Sequence, residues 1–155
     1  LPQVTGDPGE SIERLTAFLN SKGIAVNYSE NIAPALGMSY GGRIVLLPGQ
    51  SKAETFATLV HEAAHELLHR SERRTVTTKT VRETEAEAVA FVVGKAVGLV
   101  NDDASASYIR LYHGNASLLA ESLEVIQETA RVILATLEPP IAEEVTNEEP
   151  EEVAA

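Results

Sequence analysis

Ser51-x-x-Glu54 forms a capping box, and behind it Ala53, Phe56, Ala57, Val60, Ala64 and Leu67 recur at helical spacing. Together they predict the longest helix of the chain, over roughly 52–70, and a helix of this kind must bury its apolar stripe to be stable. The same span contains LVHEAAHELLH, from Leu59 to His69, which puts three of the chain's four histidines within nine residues. Whatever the fold, it has to seat this helix with its apolar face covered and its histidines at the border of that face.

The flanking segments predict shorter elements. Asp7-Pro8-Gly9-Glu10 reads as a helix start, with Asp7 as N-cap, Pro8 in the first position and Glu10 three residues after the cap. Ile12, Leu15, Phe18 and Leu19 continue that helix until Gly23. Residues 24–30 (IAVNYSE) predict a short strand. Residues 37–49 predict a hairpin that turns at Gly41-Gly42, runs through the β-rich Arg43–Leu47 and stops at Pro48, with Met38 and Tyr40 as core or hairpin packing. The polar, basic stretch 71–80 reads as a solvated loop. Ala86, Val89, Ala90, Val93 and Val97 predict a second strong helix over about 81–98. A short helix is expected within 101–114, and Asn115 caps a last long one through Leu137. A helix, then three short strands, then helices only is an α+β order: a small three-stranded sheet or hairpin packed on a helical layer.

Composition narrows the chemistry. With 155 residues the chain is one domain by length, and with no cysteine it has neither disulfides nor sulfur ligands for a metal. The net charge of −11 is uneven: Glu138, Glu143, Glu144, Glu148, Glu149, Glu151 and Glu152 close the chain with no basic residue among them. That leaves 16 acidic against 12 basic residues, or −4, over residues 1–137, a poor surface for gripping phosphate backbones directly. No apolar run reaches the roughly 18–20 residues that span a membrane. The expected division is a linker over 1–6, a domain over 7–137 and an acidic disordered tail over 138–155. The start at Leu1 reads as that of an excised domain.

His61-Glu62-x-x-His65 is where a metal would sit. Residues four apart on a helix are turned by only about 40°, so both imidazoles can address one ion. Zinc accepts such nitrogen ligands. Glu62 is displaced from them, where a carboxylate reaches water rather than metal and can act as general base. A third ligand is needed. Six residues after His65 stands Ser71, and His69 reads as a structural or capping histidine near the helix end. The remaining candidates lie in RETEAEAVAFVV, where Glu83 and Glu87 share one flank and Glu85 points to the other. The favoured assignment makes Glu83 the ligand and has Glu87 orient a histidine; the reverse is its competitor. Thr80-x-x-Glu83 also reads as a capping box, which would employ Glu83 elsewhere. His113, Tyr112 and Tyr108 are candidates for steadying an oxyanion, His113 first.

LVHEAAHELLH and RETEAEAVAFVV, with YIRLYHGNASLLAESLEVIQ as a softer match, resemble gluzincin-like peptidases of the ImmA/IrrE type. The resemblance is greatest to the metallopeptidase domain of ArdC-type antirestriction proteins and covers just under a third of the chain. In that family the second motif reads Glu-x-x-x-Asn ahead of an apolar helix, the Glu being the third zinc ligand. Matched position by position, that Glu falls on Glu83 and the Asn on Glu87. The charge at Glu87 departs from the pattern and leaves a swapped role, or ligation by both carboxylates, open.

The resemblance implies a zincin-like fold, one zinc ion held by His61, His65 and Glu83, and hydrolysis of a peptide bond in a peptide or protein substrate. Manganese or nickel would suit the same ligands nearly as well. It also implies a single-stranded-DNA-binding domain ahead of Leu1, so that DNA is reached through that domain and not through this one. The expected setting is a cytoplasmic antirestriction or regulatory protein. The alternative is a non-catalytic metal-binding interaction module of an ArdC-like DNA-protection protein.

Overall fold

The structure, a computed structural model, describes residues 3–101 and 115–139. Five α-helices and two small sheets make up the described part, an α+β arrangement. β1 is Val4–Thr5, α1 Ser11–Ser21, β2 Ala25–Tyr28, β3 Gly37–Ser39 and β4 Arg43–Leu46. These lead into α2 (Lys52–Leu68), α3 (Glu72–Val76), α4 (Lys79–Ala96), β5 (Val100–Asn101) and α5 (Ala116–Leu137). None of these helices is long and apolar enough to cross a membrane.

α2 is the centre of the packing. Its side chains Phe56, Leu59, Val60, Ala63 and Ala64 are fully buried, a wider face than the six-residue stripe of the sequence. α4 packs along it through Val89 and Val93, the sheet covers it with Ile44 and Leu46, and α1 adds Leu15 and Leu19. α5 closes the layer with Ile126 and Ile133 against α4 and α1. A side chain such as Phe56, with no exposed surface, contributes about 1.5–3 kcal/mol by leaving water.

Helix starts follow their caps. Ser51 Oγ accepts from the Glu54 amide at 3.1 Å, as the capping box predicts, and Asn115 Oδ1 accepts from Leu118 at 3.0 Å. Two boundaries differ. α1 starts at Ser11, not Pro8, because Gly9 takes φ +61 and ends any helical run from Pro8. Asp7 instead accepts from the Gly9 amide at 2.9 Å in a local turn. α4 starts at Lys79 because Thr78, rather than Thr80, caps it, with Thr78 Oγ1 accepting from Val81 at 3.1 Å. Thr80 lies inside the helix, so Thr80-x-x-Glu83 is not a capping box and Glu83 is released from that role.

Other expectations need correction too. α5, with 22 residues, is longer than α2, with 17. The loop expected over 71–80 contains α3. Val4 and Thr5, assigned to the linker, pair with Asn101 and Val100 in a second, two-stranded sheet. For Met38 and Tyr40, 37% and 46% exposed, hairpin packing is the one of the two expected roles that the structure shows: Met38 pairs with Val45 on β4, and Tyr40 stacks under the Arg43 guanidinium across the turn. The short helix expected within 101–114, the residues His113, Tyr112 and Tyr108, and the tail beyond Pro139 lie outside the described residues.

The three-stranded sheet has the order β2-β4-β3, with β4 parallel to β2 and antiparallel to β3. Gly41 and Gly42 turn the hairpin at φ +84 and +90, a conformation that side chains resist. β4 is the central strand. Among the described residues β3 has no second strand partner, and it passes over α2 at Gly37.

Candidate metal centre

Helical periodicity places His61 and His65 one turn apart on α2, and α4 crosses them at Glu83. Glu83 Oε1 lies 3.1 Å from His61 Nε2, and Glu83 Oε2 lies 3.0 Å from His65 Nε2. The three potential ligand atoms fall within 4.8 Å of one another. Ligands about 2.0–2.1 Å from a tetrahedral ion stand roughly 3.3–3.4 Å apart, a spacing that falls inside the 4.8 Å within which these atoms lie. The donor set, two imidazoles and one carboxylate, has the chemistry zinc accepts. His61 and His65 are largely shielded, with 18% and 13% of their side chains exposed, while Glu83 keeps 50%.

Each histidine is held from behind. His61 Nδ1 donates to Glu87 Oε1 at 2.9 Å, which turns Nε2 toward Glu83. Glu87 thus touches the remote nitrogen of His61, in the orienting position. His65 is held by a longer chain of bonds. Its Nδ1 meets His69 Nδ1 at 2.8 Å, and His69 Nε2 meets Glu85 Oε1 at 2.8 Å. Glu85 can only accept, so His69 donates from Nε2 and accepts at Nδ1 from the His65 Nδ1–H. That arrangement leaves His65 Nε2 facing Glu83.

Glu85 was missed as a site residue because it reads as the wrong flank of α4. It is fully buried, and besides His69 it accepts from both the Arg73 guanidinium and Ser122 Oγ, the latter at 2.6 Å. Burial opposes its ionisation, but these donors outweigh burial and hold its carboxyl below the ordinary range. The available signal was a carboxylate inside the stripe Val81, Ala86, Val89, where an unpaired charge would be costly.

Glu62 is buried on the other side of the pair, and no described residue gives its carboxylate a hydrogen bond. Burial lifts its pKa above the usual carboxylate value; His61 and His65 pull it down, and Glu83 and Glu66 add to the rise. β3 passes directly over it at Gly37. A Cβ there would lie 2.6 Å from Thr58 Cγ2 and 3.0 Å from Glu62 Cγ, so glycine is what permits the close approach. The hairpin is fixed by Glu66, one position after His65. Glu66 accepts from Ser39 Oγ and from the amides of Gly41 and Gly42 at 2.9 and 2.8 Å.

Without metal this cluster is an ion-paired one. Burial works against protonation of His61, but its bonds to Glu83 and Glu87 prevail and raise its pKa from 6.5 to about 10. The same bonds from His61 and His65 push Glu83 well below the usual carboxylate range. The raised His61 value stabilises the metal-free fold fully below its unfolded pKa, and that contribution fades as pH climbs toward about 10. The depressed Glu83 value contributes above its unfolded pKa and is lost on acidification. A metal must displace the His61 proton, so its affinity rises with pH. Thermal melts of metal-free and zinc-loaded protein between pH 5.5 and 9 should therefore diverge, the zinc-induced gain in Tm growing with pH. A gain that shrinks as pH rises would contradict this account.

No family model, no curated protein and no solved structure matches the chain.

Proposed function

We propose that this chain is a zinc-dependent peptidase domain of the zincin type, related to the ImmA/IrrE and ArdC-type domains and working in the cytoplasm. The observation that carries the reading is the convergence of His61 Nε2, His65 Nε2 and both Glu83 oxygens beside a buried Glu62 whose carboxylate takes no hydrogen bond from any described residue. A purely structural metal site closes its coordination shell and has no use for such a carboxylate.

In this reading His61, His65 and Glu83 hold the ion, Glu87 orients His61, and the His69–Glu85 pair orients His65. Zinc there supplies Lewis-acid polarisation of the scissile carbonyl and acidifies the attacking water. Glu62 takes the proton from that water and delivers it to the leaving amine, a transfer suited by its raised pKa. An extended substrate adds to the open edge of β3 above Glu62, rather than to Arg43–Leu47, whose strand β4 is paired on both sides.

The test is direct. The purified chain, loaded with one equivalent of zinc and mixed with a pool of unstructured peptides, should generate new amino termini detectable by mass spectrometry. Chelation should abolish them, and added zinc should restore them. Stoichiometric zinc with no cleavage of any peptide would instead support a metal-binding interaction module.

A further inference from the structure

The cleft on either side of Glu62 is not electrically symmetric. Two hollows, of about 560 and about 610 Å³, meet at Gly37 and Glu62. The first, beside His65 and Glu83, is lined by Arg70, Arg74, Lys79 and Arg82. The second, beside His61, has Glu54 and Glu87 as its charged walls apart from the site itself and contains no Lys or Arg. A third of the chain's 12 basic residues therefore line one hollow of a protein whose net charge is −11.

The four cations are not equivalent. Arg70 is committed to the hairpin, reaching the Ser39 carbonyl, Ser39 Oγ and Glu66. Arg82 braces the turn ahead of α4 by donating to the carbonyls of Arg74 and Thr77 at 2.9 and 2.6 Å. Arg74 and Lys79, on α3 and at the start of α4, are exposed and have no carboxylate partner among the described residues. Two braced cations thus stand beside two that are free to meet an anion.

β3 gives the cleft a direction. Leu36 and Tyr40 bond inward to Leu47 and Arg43, so by strand alternation the backbone groups of Gly37 and Ser39 face the open edge. Arg70 already occupies the Ser39 carbonyl. Gly37, over Glu62, is then the open backbone position. From Leu36 to Ser39 the strand runs from the second hollow to the first. A peptide added antiparallel, the commoner and slightly stronger pairing, runs the opposite way. Its residues before the scissile bond fall in the basic hollow, and those after it fall beside Glu54 and Glu87.

We propose that this cleft selects peptides with Asp or Glu side chains on the amino side of the scissile bond and disfavours them on the carboxyl side, with Arg74 and Lys79 as the specificity-determining residues. The inference rests on the peptidase reading, and it deepens that reading by naming a substrate class and an orientation.

Two synthetic peptides of one composition test it: one has glutamates clustered on the amino side of a neutral centre, the other on the carboxyl side. Binding is read by fluorescence anisotropy on the zinc-loaded Glu62→Gln variant, which keeps the peptides intact, and cut sites are mapped with the wild-type protein. The amino-side peptide should bind about tenfold more tightly, and raised ionic strength should reduce the difference. The double variant Arg74→Glu/Lys79→Glu should erase or invert the preference, and the neutral pair Arg74→Gln/Lys79→Gln should give an intermediate value. Equal binding of the two peptides, or a preference unchanged in both double variants, would overturn the proposal. Tighter binding of a single-stranded oligonucleotide of equal charge would also overturn it, assigning the cations to phosphate. Selective binding with no cleavage by wild type would sink the peptidase reading and uphold the selectivity; cleavage indifferent to acidic residues would do the reverse.

Discussion

Replacing Glu62 by Gln should lower peptide cleavage by about 10²–10⁴-fold, the range that a positioned general base contributes. Zinc content should stay at that of wild type, because Glu62 is not among the grouped ligand atoms. Stability should change little: the carboxylate is buried without a described hydrogen-bond partner, and the amide has nearly its shape. Glu83→Ala makes the contrast, since it should lose the metal and the activity together. The measurements are metal analysis, a thermal melt and turnover on one peptide. A Glu62→Gln protein that cleaves at the wild-type rate with zinc bound would remove Glu62 from the chemistry.

The largest loss of stability should come from Glu85→Ala. That side chain is completely buried and is shared by His69, Arg73 and Ser122, which come from the end of α2, from α3 and from α5. Removing it leaves the Arg73 guanidinium, 11% exposed, with only the longer contact to the exposed Glu121 at 3.5 Å, next to a buried imidazole and hydroxyl. Breaking a buried pair in this way costs about 3–5 kcal/mol. For a domain of this size that corresponds to a fall in Tm of roughly 10–15 °C. The expected second effect is on zinc. With His69 no longer fixed, His65 loses its orientation and affinity should drop about 10–100-fold. Chemical denaturation and zinc titration of the same sample read both. A Glu85→Ala protein within 1 kcal/mol of wild type would show that solvent or a rearranged partner replaces the carboxylate.

Features encoded within one turn or one hairpin were legible in the sequence. Ser51 and Glu54 declare a helix start because a cap is a contact across three residues, and Gly41-Gly42 declares a turn because few residues tolerate positive φ. The joint orientation of His61 and His65 follows from helical pitch alone. Placing Glu83 near them needed a further step, the matching of flanks on two helices, and the structure brings its carboxylate to both rings. What was illegible depends on distant partners. Glu85 meets residues 16, 12 and 37 positions away, so its place inside the apolar stripe hints at burial but nothing local names its partners. β1 and β5 have two residues each, too few to show a strand period. Thr78 and Thr80 are both plausible caps by residue type, and the choice between them fell to the packing of α4.

The Glu66 tether has a mechanical meaning. It ties the tip of the β3–β4 hairpin to the same helix that carries His61, Glu62 and His65, so the strand edge and that row of side chains are held as one body. The close approach of β3 to α2 at Gly37 is permitted by that glycine and held by the Glu66 carboxylate. For the peptidase proposed above, a target that adds to the β3 edge would have to offer a loose, extended segment of chain, and the accessibility of that segment, as much as its sequence, would decide which proteins are cut.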